Sequence, residues 1–233
     1  MLLSRVTKHV KDQNWFAAAL DFCIVVAGIL IAVQIDAWAN RQAVQKSTEA
    51  SLRMLLSDLT LDIERLDLVT EAQTMRIDAL QRVSDTLKEP DPNYEEVAEN
   101  LNLAVDNSRT LLVRDTVYDT MEKEGQLVVL PPELRRKISM TYGYDFPALA
   151  TAGLQMDENA DEVESRCVDA YWDRELRVPI SETREDLARL RNCIINLRGY
   201  SAWYLSSSEG QYRQNAEALK TALEIELGIE REL

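Results

Sequence analysis

From Phe22 to Val33 every position is apolar or glycine, whereas from Leu52 onward apolar residues return only at every third or fourth position. The first pattern is that of a helix surrounded by hydrocarbon, and the second that of a helix with one buried face. Trp15 and Trp38 bracket the first stretch. At about 1.5 Å per residue they stand roughly 35 Å apart, which suits a hydrocarbon core of about 30 Å with an aromatic at each boundary. The pattern predicts three parts: a basic cytoplasmic tail over residues 1–14, a transmembrane helix over 15–38, and an acidic helical domain over 39–233. The fold class is all-α, one membrane helix followed by an antiparallel helical bundle.

The elements of that domain follow in order. Residues 40–88 contain neither glycine nor proline, and Leu52, Leu56, Leu59, Ile63 and Leu66 keep a 4-3-4-3 spacing. Ile77, Leu80 and Leu87 hold the register, with Thr70, Gln73 and Ser84 between them, a pattern of helix packing within a domain. Pro90 and Pro92 stop the helix. Asn93 then offers an N-cap with Glu96 three residues on, opening a short helix to Val105. A further helix is predicted over Thr110–Glu124 with Gly125 as its left-handed cap, then an extended link from Gln126 to Leu130. Pro131 and Pro132 suit the first turn of a helix carrying Leu134, Ile138 and Tyr142, broken by Gly143 and Pro147. The next helix spans Ala148–Leu176 with Gly153 a weak point. Val178-Pro179-Ile180 is read as a tight link and Ser181 as an N-cap. The last helix carries Leu187, Leu190, Ile194 and Leu197 and continues past Gly210, where Ala216, Leu219 and Leu223 repeat the pattern. No strand is predicted.

Charge sharpens this picture. The formal net charge is -14, and residues 1–39 hold three basic and three acidic side chains, so the whole excess lies in the helical domain. Such a domain repels phosphates, which argues against nucleic acid as a partner. Orientation is close to a tie by the positive-inside count, with Arg5, Lys8 and Lys11 before the span and Arg41, Lys46 and Arg53 after it. The short tail favours a cytoplasmic N-terminus, which in a bacterium places the protein in the inner membrane with a periplasmic domain. Leu3, Val6 and Val10 share a face of the tail, which also holds His9, the only histidine. Ala37-Trp38-Ala39 also reads as a small-x-small cleavage site; Asp36 close before it, and a helical pattern running on beyond it, favour a retained anchor.

Candidate chemistry is sparse. The helical domain has no histidine, phosphate-binding glycine loop, nucleophile elbow or Cys-x-x-Cys, so neither catalytic residues nor a cofactor are expected. Asp157, Asn159 and Asp161 begin like a calcium loop, but Glu162 and Val168 occupy the positions that need glycine and glutamate. Asp21 lies inside the span, where an acid is costly and is a functional candidate, as well as an interfacial aspartate near the helix start. Gly28 and Ala32, four apart, would share a face on which another membrane helix packs. Tyr200, Trp203, Tyr204 and Tyr212 read as packing residues or as a binding face. Cys167 and Cys193 flank the link at 178–180 symmetrically and face one another in an antiparallel hairpin turning there. They are read either as a disulfide, fitting an exported domain, or as two buried thiols.

Two stretches carry a resemblance. Gly28-Ile29-Leu30-Ile31-Ala32-Val33-Gln34-Ile35-Asp36-Ala37-Trp38-Ala39-Asn40 is similar to the membrane helix of a family of bacterial single-pass membrane proteins of unknown function, with Ala37 and Ala39 where asparagines are usual. Tyr118–Glu124, Gly125-Gln126-Leu127 and Glu133-Leu134-Arg135 resemble the same family's helix, Gly-x-Leu and Glu-Leu-Arg helix. The resemblance implies a membrane-anchored helical domain and carries no activity with it. The expected role is a non-enzymatic scaffold or accessory subunit of a membrane complex. Its partners would be the bilayer and either further copies of itself or a multi-span membrane protein. The alternatives are an ion-coupled subunit using Asp21, like the single-pass subunits of bacterial ion-driven motors in architecture, and a periplasmic sensor domain.

Overall fold

The computed structural model describes residues 15–229, with side-chain surroundings from residue 20 onward. The tail over 1–14, with Arg5, Lys8, His9 and Lys11, lies outside the described residues. The chain divides into two units, Met1–Ala50 and Ser51–Leu233. Helix α1 (Trp15–Thr86, 72 residues) supplies the described residues of the first unit and opens the second. In the first unit the side chains from Leu20 to Lys46 are exposed on every side of the helix, Val26 alone being half-buried.

The second unit is all-α apart from one minimal ladder. Its part of α1 buries Leu55, Leu59 and Leu66 in one cluster, and Ala79, Leu80 and Val83 in another. Leu56 and Ile63 lie at the edge of the first cluster, half-buried. Helix α2 (Tyr94–Asp106) begins at Asn93, whose side chain accepts the Glu96 N–H at 3.3 Å. Helix α3 (Thr116–Lys123) starts six residues later than the sequence pattern implies. Residues 108–115 stay non-helical because side chains from elsewhere take their backbone groups. Gln73 Nε2 donates to the Arg109 carbonyl at 2.6 Å, Tyr204 Oη accepts the Leu111 N–H at 2.9 Å, and Arg65 Nη1 donates to the Leu112 carbonyl at 3.0 Å. At these positions tertiary hydrogen bonds stand in for the helical ones. Gly125 follows with φ 69°, and Gln126–Val129 forms a 3-10 turn rather than an extended link.

Between residues 132 and 171 the helix does not break. Helix α4 (Pro132–Met140) passes through a π-turn (Thr141–Asp145) into α5 (Phe146–Val163), then through a second π-turn (Glu164–Val168) to Asp169–Tyr171. Gly143 and Pro147 are therefore not terminators. The wider turn, in which the Phe146 N–H reaches back to Thr141 O, lies just before Pro147, where a proline would otherwise interrupt an α-helical ladder. Gly143 packs against Tyr118, whose Oη would be 2.9 Å from an added Cβ.

A two-residue antiparallel ladder then turns the chain, β1 (Trp172–Asp173) against β2 (Val178–Pro179), with Trp172 opposite Pro179. It was not predicted because two residues carry no periodicity. Asp173 Oδ1 accepts the N–H groups of Glu175 and Leu176, and Arg177 takes φ 60° to close the turn. Helix α6 (Arg184–Glu209) is capped by Thr183, whose Oγ1 accepts the Asp186 N–H at 3.2 Å; Ser181 instead lies outside the helix and accepts the Thr183 N–H. Gly210 (φ -79°, ψ -135°) separates α6 from α7 (Gln211–Glu226), so the last helix does not run through.

Gly153 marks a close approach. An added Cβ there would lie 2.9 Å from Thr110 Cβ and 3.2 Å from Tyr204 Oη. Thr110 is β-branched and its neighbour Leu111 is held by that same Tyr204 hydroxyl, so neither side yields freely. Gly153→Ala is expected to cost about 2 kcal/mol through overpacking, in spite of the better helix propensity of alanine. Thermal melting of the full-length variant in detergent checks this; an unchanged or raised midpoint refutes the close packing.

Candidate functional site

The residues singled out in the sequence fall in separate places. Asp21, Gly28 and Ala32 are exposed on the first unit, and a Cβ added at Gly28 would touch nothing within 4 Å. Asp157, Asn159 and Asp161 lie along α5, and no group of metal-ligating side chains occurs among the described residues. Tyr204 is fully buried, Tyr200 and Tyr212 pack half-buried against the core, and Trp203 is half exposed. Cys167, in the second π-turn, is joined to Cys193 of α6 with their Cα atoms 5.8 Å apart. Cys23 is free and exposed.

One constellation has no counterpart in the sequence reading. Between its two apolar stretches α1 buries Gln73 and Arg76, the latter only 1% exposed. Arg76 Nη2 contacts Glu164 Oε1 at 3.4 Å. Its Nε and Nη1 have no hydrogen-bond partner. Burial pulls the guanidinium below its usual value, opposed by the negative charges of Glu164, Asp157 and Asp161. Glu164 stands in the second π-turn and spends its other oxygen, Oε2, on Arg174 Nη2 at 3.2 Å. Arg174 also reaches Asp169 at 2.7 Å, and Arg177 Nη2 reaches Glu95 at 2.9 Å. The Nε of Arg177 is buried without a partner, like the two donors of Arg76.

These groups line one pocket. Arg76, Glu164, Arg174 and Arg177 form its polar side, and Leu80, Ala98, Val168, Trp172 and Leu197 its apolar side. With its open mouth it measures about 490 Å³. The signal in the sequence was an arginine one position from the apolar stripe through Gln73 and Leu80, but on its own a basic residue beside a stripe reads as solvated.

A buried acid lies beside the other cluster. Asp62 is fully buried, its Oδ2 accepts the Arg114 N–H at 3.4 Å, and Arg65 Nη1 stands 3.6 Å from Oδ1. Burial pushes its carboxyl up to about 6, outweighing the Arg114 N–H and the Arg65 charge.

These features define an all-α protein with one long apolar helix near its N-terminus. The chain belongs to a family of unknown function, DUF6090, whose model matches residues 21–195. The matched region takes in most of the apolar helix, α2 to α5, the β-ladder and the first part of α6. No curated protein and no solved structure matches the chain.

Proposed function

We propose that the protein is a membrane-anchored accessory subunit, held in a bacterial inner membrane by residues 15–38 and acting through its acidic helical domain in the periplasm by interaction rather than catalysis. The observation that carries the reading is the exposed apolar surface of α1. Phe22, Ile24, Ile31 and Val33 are all 59–69% exposed, and the best 18-residue window has mean hydropathy 2.1 with none of it buried. In water that surface is strongly unfavourable; in a bilayer it is satisfied. The joined Cys167 and Cys193 support an oxidising compartment for the domain.

A second reading rests on Asp21, an acid exposed on that same apolar surface. A partner with several membrane spans could neutralise it or pass ions along it. One experiment addresses both readings. Full-length protein should stay in the membrane fraction after an alkaline wash, and mild-detergent purification should bring partners with it. A soluble mature form beginning at Asn40 would sink the anchor. A multi-span partner favours the ion-coupled reading, and self-association alone favours the scaffold.

A further inference from the structure

We propose that the pocket between α1, α2 and the β-ladder is a binding site for a small organic monocarboxylate with a short apolar tail. Arg76 and Arg177 both line this pocket, and three of their guanidinium N–H donors, Nε and Nη1 of Arg76 and Nε of Arg177, are buried without hydrogen-bond partners. A buried donor left unpaired costs about 1–3 kcal/mol, more when charged. Three of them on two lining side chains leave a demand for acceptors that the protein's own carboxylates do not meet. Glu164 already divides its two oxygens between Arg76 and Arg174, Asp169 serves Arg174, and Glu95 serves Arg177.

The shape selects the ligand class. A guanidinium presents its donors in a plane that matches a carboxylate. Leu80, Ala98, Val168 and Trp172 of the same lining supply apolar walls for a tail a few carbons long. A doubly charged anion is disfavoured, because the three arginines already face three carboxylates and the whole domain is acidic. The inference is independent of what the protein's macromolecular partner is.

The test uses full-length protein in nonionic detergent, titrated calorimetrically with sodium butyrate against a blank of empty micelles, with butan-1-ol and inorganic phosphate as matched probes. Butyrate should bind saturably and butan-1-ol should not. Arg177→Gln, a half-exposed position whose variant should keep the wild-type melting temperature, should weaken butyrate about tenfold, the effect of one lost charge-assisted hydrogen bond. Arg76→Gln should abolish binding, and if it fails to fold the Arg177 variant still decides. Saturable binding absent, butan-1-ol binding as well as butyrate, phosphate binding more tightly than butyrate, or Arg177→Gln leaving affinity unchanged would each overturn the proposal.

Discussion

Removing the bond between Cys167 and Cys193 is expected to lower the stability of the helical domain by about 3.5 kcal/mol. The two cysteines are 26 residues apart in sequence, and the chain-entropy relation for closing a loop of that length gives this figure. The bond ties the second π-turn of the long helix to the middle of α6, next to the cluster built from Leu190, Ile194 and Leu197. Cys193 is fully buried and its partner half-buried, so Cys167→Ala with Cys193→Ala adds a small cavity term to the entropic one. The check is urea denaturation of wild type with and without reductant beside the double variant. Coincident curves for oxidised and reduced wild type would refute the bond's contribution. Mass mapping with thiols blocked at lysis shows whether the bond forms in the cell; free thiols there would also weigh against a periplasmic domain.

The second large effect is a dependence on pH. Asp62 is pushed by burial from its usual 3.8 to about 6. The folded protein therefore holds this proton more tightly than the unfolded chain does. The stabilisation is fully present below about pH 4 and is lost as pH rises through 6, a loss of about 3 kcal/mol. Asp145 and Asp157, also pushed upward by burial, act in the same sense. Asp62→Asn keeps an oxygen for the Arg114 N–H and cannot ionise. It should flatten the fall in stability between pH 4 and pH 6 and raise stability at pH 7 by roughly 2–3 kcal/mol. Stability measured across that range decides it, and an unaltered slope in the variant would show that Asp62 is not the group responsible.

The all-α class, the length of α1 and the Asn93 cap were legible because each rests on local pattern: period, absence of glycine and proline, or one capping side chain. The unbroken run over residues 132–171 was misread as two helices broken at Gly143 and Pro147, although the sequence holds a subtler signal of it. Leu134, Ile138, Tyr142 and Phe146 are spaced 4-4-4, and so are Ala160, Glu164, Val168 and Trp172. Three such steps drift about 120° around an ideal α-helix. A π-turn absorbs about one residue of that drift, and the two π-turns fall within these two runs. Reading Gly143 and Pro147 as punctuation hid the signal. The non-helical segment before α3 was not legible, since it depends on Gln73, Arg65 and Tyr204 arriving from distant elements. The same holds for the arginine pocket: Arg76 and Glu164 are 88 residues apart, and only the packed helices bring them together.

The cysteine bond also changes what kind of object the domain is. Between residues 167 and 193 the chain becomes a ring, threaded at both ends into helices and crossed by the exposed turn at 174–177. Within a ring, connectivity no longer depends on any single peptide link. A cut beside Arg174 would leave α5 and α6 covalently coupled through sulfur, with the seam between them still closed. An exposed turn of the domain is thereby also a place where a single backbone break leaves its helices joined.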